Sequence, residues 1–230
     1  MNIGIVGDVH GNHLALRSVV EGLDGQVDEI WFLGDVSGYY PFVSQCLQLL
    51  RDTKALCVRG NHDQVLLDCL SRVEDPSTEY TRRYGPALAR ALAELSVEET
   101  DWIASWPTAR QFLVEDISTY LVHGAPWDHL NGRVYPDFSD WGRFGMVDSQ
   151  TVIMGHTHYP LVHKSEHGLI INPGSVGQAR DRSGSASYAI LDVSARTVSL
   201  HRQEYDVSEL IEDAQRFAPD IPYLTSVLCR

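Results

Sequence analysis

Apolar residues recur along this chain in two rhythms. Residues 3–6, 29–33 and 55–58 are apolar runs of four or five, short enough to be buried strands. Between them, residues 13–22 and 42–51 carry apolar side chains at helical spacing, with Leu14, Leu16, Val19, Val20 and Leu23 marking the first face. Strand, helix, strand, helix, strand with short connections predicts right-handed βαβ units and a parallel sheet. Ligands of such sheets gather at the carboxyl ends of the strands.

From 64 to about 108 the strand signal stops and helical spacing takes over. Leu66, Leu67 and Leu70 belong to one helix, and Tyr84, Leu88, Ala91, Leu92 and Leu95 to a second. A third opens at Ser96, which forms a capping box with Glu99, and ends before Pro107. Glu74-Asp75-Pro76-Ser77 is a loop between the first two. We read the stretch as a helical, cap-like insertion covering one side of the site, within a single domain spanning 1–230. Its Arg82, Arg83 and Arg90 are read as surface arginines, with contact to an anionic substrate as the alternative.

Strand rhythm then returns at 111–114, 118–122 and 151–154, in a hairpin of 161–164 with 168–171 around Glu166-His167, and in a final antiparallel pair, 188–193 with 198–205. Residues 127–148 lack periodicity and are expected to form a long loop with a short helix. Asp206 is expected to open a closing helix that reaches Phe217, followed by an irregular tail holding Pro219 and Pro222.

Composition narrows the field. At 230 residues the chain can bury one core, and its 21% charged and 43% hydrophobic fractions are those of an ordinary globular protein. A formal net charge of -13 with no basic run argues against a binder of nucleic-acid backbone. A small anionic substrate stays open, because bound metal ions would reverse the local field. Cys46, Cys57, Cys69 and Cys229 form no C-x-x-C pair and read as buried, reduced thiols. No secretory signal precedes the first strand, and no apolar run approaches the ~20 residues that span a bilayer. The expectation is a cytoplasmic protein.

The chemistry sits where strands end. Asp8 and His10 follow the first strand and, in an extended segment, would face one point. Gly34-Asp35 follows the second, and the next helix starts too late for Asp35 to cap it. Gly38-Tyr39-Tyr40-Pro41 places two aromatics that are core or pocket lining. Arg59-Gly60-Asn61-His62-Asp63 follows the third strand: Asn61 is a neutral oxygen ligand, His62 can carry a proton, and Asp63 can orient its imidazole. His123 and the pair His156 and His158 end two later strands, and H-x-H is a strong metal signal. Asp8, His10, Asp35, Asn61, His123, His156 and His158 are too many ligands for one ion and suit two that share Asp35. Two ions ~3.5–4 Å apart can hold a hydroxide and clamp the oxygens of an in-line displacement, a geometry for phosphoryl transfer to water. His62 stands beside them as the acid. Arg180 can grip phosphate with its planar fork, or else pair with Asp181 or another carboxylate nearby. His129, His163, His167 and His201 have no partners by spacing and are left as surface or structural residues.

Gly7-Asp8-Val9-His10-Gly11-Asn12, Gly34-Asp35, Gly60-Asn61-His62-Asp63, Val122-His123-Gly124 and Gly155-His156-Thr157-His158 resemble the motif blocks of calcineurin-like metallophosphoesterases. The loop Asn172-Pro173-Gly174-Ser175-Val176-Gly177 is similar to that of the smaller prokaryotic branch of the superfamily, and the helical insertion with the run Gly177-Gln178-Ala179-Arg180-Asp181 resembles phosphodiesterases and dinucleoside polyphosphate hydrolases of that branch. The resemblance implies an α/β fold in which two mixed sheets pack face to face between outer helices, a four-layer α/β/β/α sandwich. It implies one metal on Asp8, His10, Asp35 and His158 and another on Asp35, Asn61, His123 and His156. It casts His62 as the group that protonates the leaving oxygen, with Asp63 holding its ring and Asn12 touching a phosphate oxygen.

The expected function is hydrolysis of a phosphodiester or phosphoanhydride in a small, nucleotide-type substrate through a metal-bridging hydroxide. Mn or Fe is the expected metal, with Zn, Co and Ni compatible with the same donors. A protein serine/threonine phosphatase and a non-catalytic metal-binding interaction module are the alternatives. The partner is a small phosphorylated molecule rather than a membrane or a nucleic-acid polymer, and a homodimer is compatible with the sequence.

Overall fold

The computed structural model describes residues 1–166, 168–181 and 184–229. Its first strand, β1 (Asn2–Val6), shows how the two-residue rhythm builds the molecule. Ile3 and Ile5 point into a core shared with a second sheet, while Val6 points the opposite way against helices. β1 runs parallel to β2 (Glu29–Phe32), which runs parallel to the two-residue β3 (Leu56–Cys57). On its other side β1 meets β9 (Ala186–Asp192) antiparallel, and β10 (Thr197–Gln203) closes that edge. The order β10-β9-β1-β2-β3 is therefore mixed.

The second sheet comprises β4 (Ala109–Val114), β5 (Ile117–Val122), β6 (Thr151–Ile153), β7 (Pro160–Ser165) and β8 (Gly168–Pro173), ordered β4-β5-β6-β8-β7. Its central strands β5, β6 and β8 are parallel and both edges are antiparallel. Trp31 of β2, with Leu33 and Val58 just past the ends of β2 and β3, meets Leu121, Ile153 and Ile171 of the second sheet in one apolar layer. The expected pair of face-to-face mixed sheets is thus present.

Helices cover the outer face of the first sheet. α1 (His13–Leu23) and α2 (Val43–Asp52) bury Leu16, Val19, Cys46, Leu47 and Leu50 against it. The outer face of the second sheet carries a different cover. There Val134, Phe144, Trp127 and Trp141, from the irregular stretch before β6 with its 3₁₀ turn Trp141–Met146, pack on Tyr120, Val122, Val152 and Ile170.

The helical stretch after β3 holds four helices rather than the three expected: α3 (Asn61–Arg72), α4 (Thr78–Tyr84), α5 (Ala87–Glu94) and α6 (Val97–Ser105). Gly85-Pro86 separates α4 from α5, and the Ser77 side chain caps α4 by accepting from the Tyr80 amide. The Ser96–Glu99 capping box on α6 is in place. Two terminal readings change. Asp206 stands outside the closing helix α7 (Ser208–Phe217), its carboxylate accepting from the Ser208 amide. The tail forms α8 (Tyr223–Ser226) and buries Leu224, Val227 and Leu228, with Tyr40 donating its hydroxyl proton to the Leu224 carbonyl. Cys46, Cys57 and Cys69 are buried, whereas Cys229 is exposed, so the expected buried thiol holds for three positions. Among the described residues no helix is long and apolar enough to cross a membrane.

Candidate metal centre

All the parallel strands point their carboxyl ends to one edge of the sandwich, and there the loops stitch the sheets together. The Val176 and Gly177 amides donate to the Gly7 and Asp8 carbonyls at 3.0 Å, and the Ser175 hydroxyl donates to the Asp8 carbonyl at 2.7 Å. Gly34 and Gly60 let the tips of β2 and β3 touch. A Cβ on Gly60 would lie 2.1 Å from Asp35 Oδ1, and one on Gly34 would lie 2.4 Å from the Gly60 nitrogen.

Asp8, His10, Asp35, His156 and His158 all have left-handed backbones, with φ of 52°, 53°, 59°, 68° and 64°. The extended geometry expected of Asp8 and His10 is therefore wrong in detail. Their side chains converge because each sits in a left-handed kink, a conformation that costs an L-residue about 1 kcal/mol or more. Hydrogen bonds hold the kinks: Asp8 N to the Gly34 carbonyl at 3.0 Å, His10 N to the Asp35 carbonyl at 2.9 Å, and His156 N to Asp8 Oδ2 at 3.0 Å.

The seven expected ligands meet in the interior. His10 Nε2 lies 3.0 Å from His158 Nε2, and His158 Nε2 lies 3.4 Å from Asp8 Oδ1. Asp35 Oδ2 stands 3.9 Å from His10 Nε2 and 3.4 Å from His123 Nε2. His123 Nε2 is in turn 3.0 Å from Asn61 Oδ1 and 3.2 Å from His156 Nδ1. Asp35 is the one member within reach of both groups.

Backbone carbonyls choose the tautomers. His10, His123 and His158 each place Nδ1 on a carbonyl, of Ser37 at 3.0 Å, Leu33 at 2.8 Å and Gln178 at 2.8 Å. A carbonyl only accepts, so Nδ1 carries the proton and every Nε2 offers a lone pair to the centre. Lone pairs facing each other at 3.0 Å repel unless a cation lies among them. Asp8 Oδ1 is also buried without a hydrogen-bond partner. The donor set, imidazole nitrogens with carboxylate and amide oxygens, fits first-row divalent metals.

Burial governs the titration of the metal-free site. It lowers His10 and His158 and brings His62 to about 3 and His156 to about 2, with neighbouring imidazoles adding to the effect at His10, His62 and His156. It raises the Asp35 carboxyl well above its ordinary range, and Asp63 and Asp8 push the same way. A neutral imidazole in the folded state and an ordinary one in the unfolded state make stability rise with pH. That contribution is complete above about pH 6.5 and is lost as pH falls toward the folded values. At pH 5.5 His62 and His156 together cost about 3 kcal/mol, and proton uptake by Asp35 offsets part of this. Metal-stripped protein is therefore expected to melt several degrees lower at pH 5.5 than at 7.5 in scanning calorimetry. An unchanged melting temperature would contradict buried neutral histidines.

Three neighbouring expectations need correction. Asp63 does not touch the His62 ring; its carboxylate accepts from the amides of Asp35 at 2.8 Å, Gly60 at 3.0 Å and Ser37 at 3.1 Å, bracing the β2 and β3 tips. The ring is held instead by the Tyr80 hydroxyl, 2.5 Å from His62 Nδ1, with Tyr84 edge-on at 4.8 Å. Asn12 is fully buried and fully engaged: Oδ1 caps α1 through the Ala15 amide, and Nδ2 donates to the Gly177 carbonyl and the Tyr205 hydroxyl. No donor of its amide is left for a phosphate. Arg180 does not pair with Asp181, which binds Arg202; its Nη2 donates to the Tyr39 hydroxyl at 3.0 Å.

Tyr80 escaped the sequence reading because nothing marks it as a partner of a histidine 18 positions earlier. The only local signal is Tyr80 and Tyr84 one helical turn apart. Of the unassigned histidines, His129 bridges Thr108 and Tyr120, His163 stacks on Trp141, and His201 stacks on Tyr188. His167 lies outside the described residues.

The sequence profile of the calcineurin-like phosphoesterase superfamily domain matches residues 1–196. An uncharacterized protein of Methanocaldococcus jannaschii is 29% identical over 91% of this chain and 90% of its own length. The crystal structure of a metallophosphoesterase from Sphaerobacter thermophilus aligns with a TM-score of 0.81 at 29% identity, covering 99% of this chain and 98% of that one. A hypothetical protein from Pyrococcus horikoshii aligns with a TM-score of 0.82 at 20% identity, covering 99% and 97%.

Proposed function

This chain belongs to the calcineurin-like phosphoesterase superfamily, as a metal-dependent phosphoester hydrolase, and from that premise we propose that it holds two ions and cleaves a phosphodiester or phosphoanhydride in a small, nucleotide-type substrate. The observation that carries this reading is the convergence of Asp8, His10, Asp35, Asn61, His123, His156 and His158, with Asp35 in reach of both halves. Asp8, His10, His158 and Asp35 would hold one ion, and Asp35, Asn61, His123 and His156 the other. Bound ions, Mn or Fe in our reading, would supply a hydroxide nucleophile from water and neutralise the phosphoryl oxygens.

The chain's own residues do the rest. His62 is neutral in the resting site, and an arriving phosphate anion favours its charged form. Tyr80 fixes the ring, so that the opposite nitrogen can serve the leaving oxygen. Asp63 keeps Asp35 and Gly60 in register. Arg180 stands beside the ligand cluster as a guanidinium suited to a phosphoryl oxygen. Tyr80 and Tyr84 of α4 close over His62, which favours a small substrate over a protein surface.

The test compares bis-p-nitrophenyl phosphate with p-nitrophenyl phosphate, using stripped protein with and without added Mn. Diester cleavage that appears only with metal supports the proposal. Cleavage of the monoester alone would replace it with a phosphatase, and cleavage of neither by the metal-loaded protein would reject hydrolysis.

A further inference from the structure

Beside the ligand cluster opens a cleft of about 430 Å³ lined by Tyr39, Arg83, Tyr84, Tyr159, Arg180 and Tyr223. Building on the hydrolase reading above, we propose that this cleft is the subsite for the planar base and outer phosphates of a nucleotide. Tyrosine faces would take the base, and the two guanidiniums would take the anionic charge.

Continuity with the centre is the first support. The Tyr39 ring is edge-on to His10 at 4.7 Å and to Tyr84 at 5.2 Å, and lies 6.3 Å from Tyr223. A molecule with its phosphoryl group at the ligand cluster therefore has the tyrosines as its next neighbours. The volume falls in the range of small-molecule sites.

Charge is the second. The protein carries 31 acidic and 18 basic residues, yet this lining holds two arginines and no carboxylate. Elsewhere in the helical stretch the arginines are neutralised, Arg82 by Glu79 and Arg90 by Asp213. Among the described residues Arg83 and Arg180 have no carboxylate partner. Arg83 lies 5.0 Å over the Tyr84 ring, and Arg180 Nε is buried without a hydrogen-bond partner. Two unneutralised guanidiniums among four tyrosines match a ligand that is both anionic and aromatic. Bases of any identity stack on such rings, so the cleft selects the class rather than one base.

The test is calorimetric titration of metal-stripped protein with adenosine 5′-monophosphate and with ribose 5-phosphate, which lacks the base. Wild type is expected to bind the nucleotide about tenfold tighter. Tyr84→Ala should erase most of that preference and Tyr84→Phe should keep it. Arg83→Glu, at an exposed position that keeps the fold, should weaken both ligands by reversing the charge. Equal binding of the two ligands by wild type, or binding untouched by Arg83→Glu, would overturn the assignment. The two readings fail separately. Preference for the nucleotide in a metal-loaded protein that cleaves neither p-nitrophenyl ester would keep the subsite and reject the hydrolase. Metal-dependent cleavage without that preference would reject the subsite alone.

Discussion

Asp35→Asn protein is expected to retain its fold, to lose the binding of both metal ions and to lose about three orders of magnitude in diester hydrolysis, a barrier increase of about 4 kcal/mol. The substitution is nearly isosteric. An amide oxygen can still accept the His62 amide that Asp35 Oδ1 accepts at 2.8 Å, so the α3 start stays anchored. What disappears is, among the described residues, the one carboxylate that reaches both His10 on one side and His123 on the other. An amide has one good ligand oxygen where a carboxylate has two, so it cannot serve both halves. Without metal, replacing a buried carboxyl whose charge is disfavoured removes a strain, and the stripped variant should melt no lower than the stripped wild type. Elemental analysis of metal content, the Mn-dependent rate and a melting curve read the three effects. Two ions bound per chain at an undiminished rate would remove Asp35 from its central place.

His62→Ala is expected to separate binding from chemistry. Metal content should stay at the wild-type level, because the His62 side chain is not among the seven expected ligands and alanine keeps the backbone amide that donates to Asp35 Oδ1. The turnover number should fall about 10²–10⁴-fold, the usual contribution of a positioned acid. Loss should be greatest for substrates with poor leaving groups, which need the proton most, and least for p-nitrophenolate. An unchanged turnover with an alkyl leaving group would end the case for His62 as the acid. Loss of metal together with activity would instead make it a ligand or a structural support.

Much of the site was legible because its signals are local. Each expected ligand lies within a few residues of an apolar run, and seven such side chains at five strand ends outweigh the ordinary explanation of any one. The mode of convergence was not legible. Left-handed kinks at Asp8, His10, His156 and His158 depend on partners such as the Gly34 and Asp35 carbonyls and the Asp8 carboxylate, which belong to other strands. Read in isolation, D-x-H and H-x-H suggest an extended segment, and only tertiary hydrogen bonds sustain the kinks.

Asp63 and Asn12 teach the same lesson from the opposite side. Both stand where a motif suggests contact with the reacting groups, and in both cases backbone amides or carbonyls from distant segments claim the side chain. An unsatisfied buried amide costs more than a solvent-facing contact returns, so folding assigns such side chains first. The chain's own order of residues determined the kind of chemistry: strand-tip aspartates, histidines and an asparagine in numbers that suit two ions. Tertiary structure decided which nitrogen of each imidazole faces inward, which tyrosine steadies His62, and that a carboxylate-free cleft opens beside them. Those outcomes depend on contacts between segments far apart in sequence, and no local pattern encodes a contact whose partner lies on another strand.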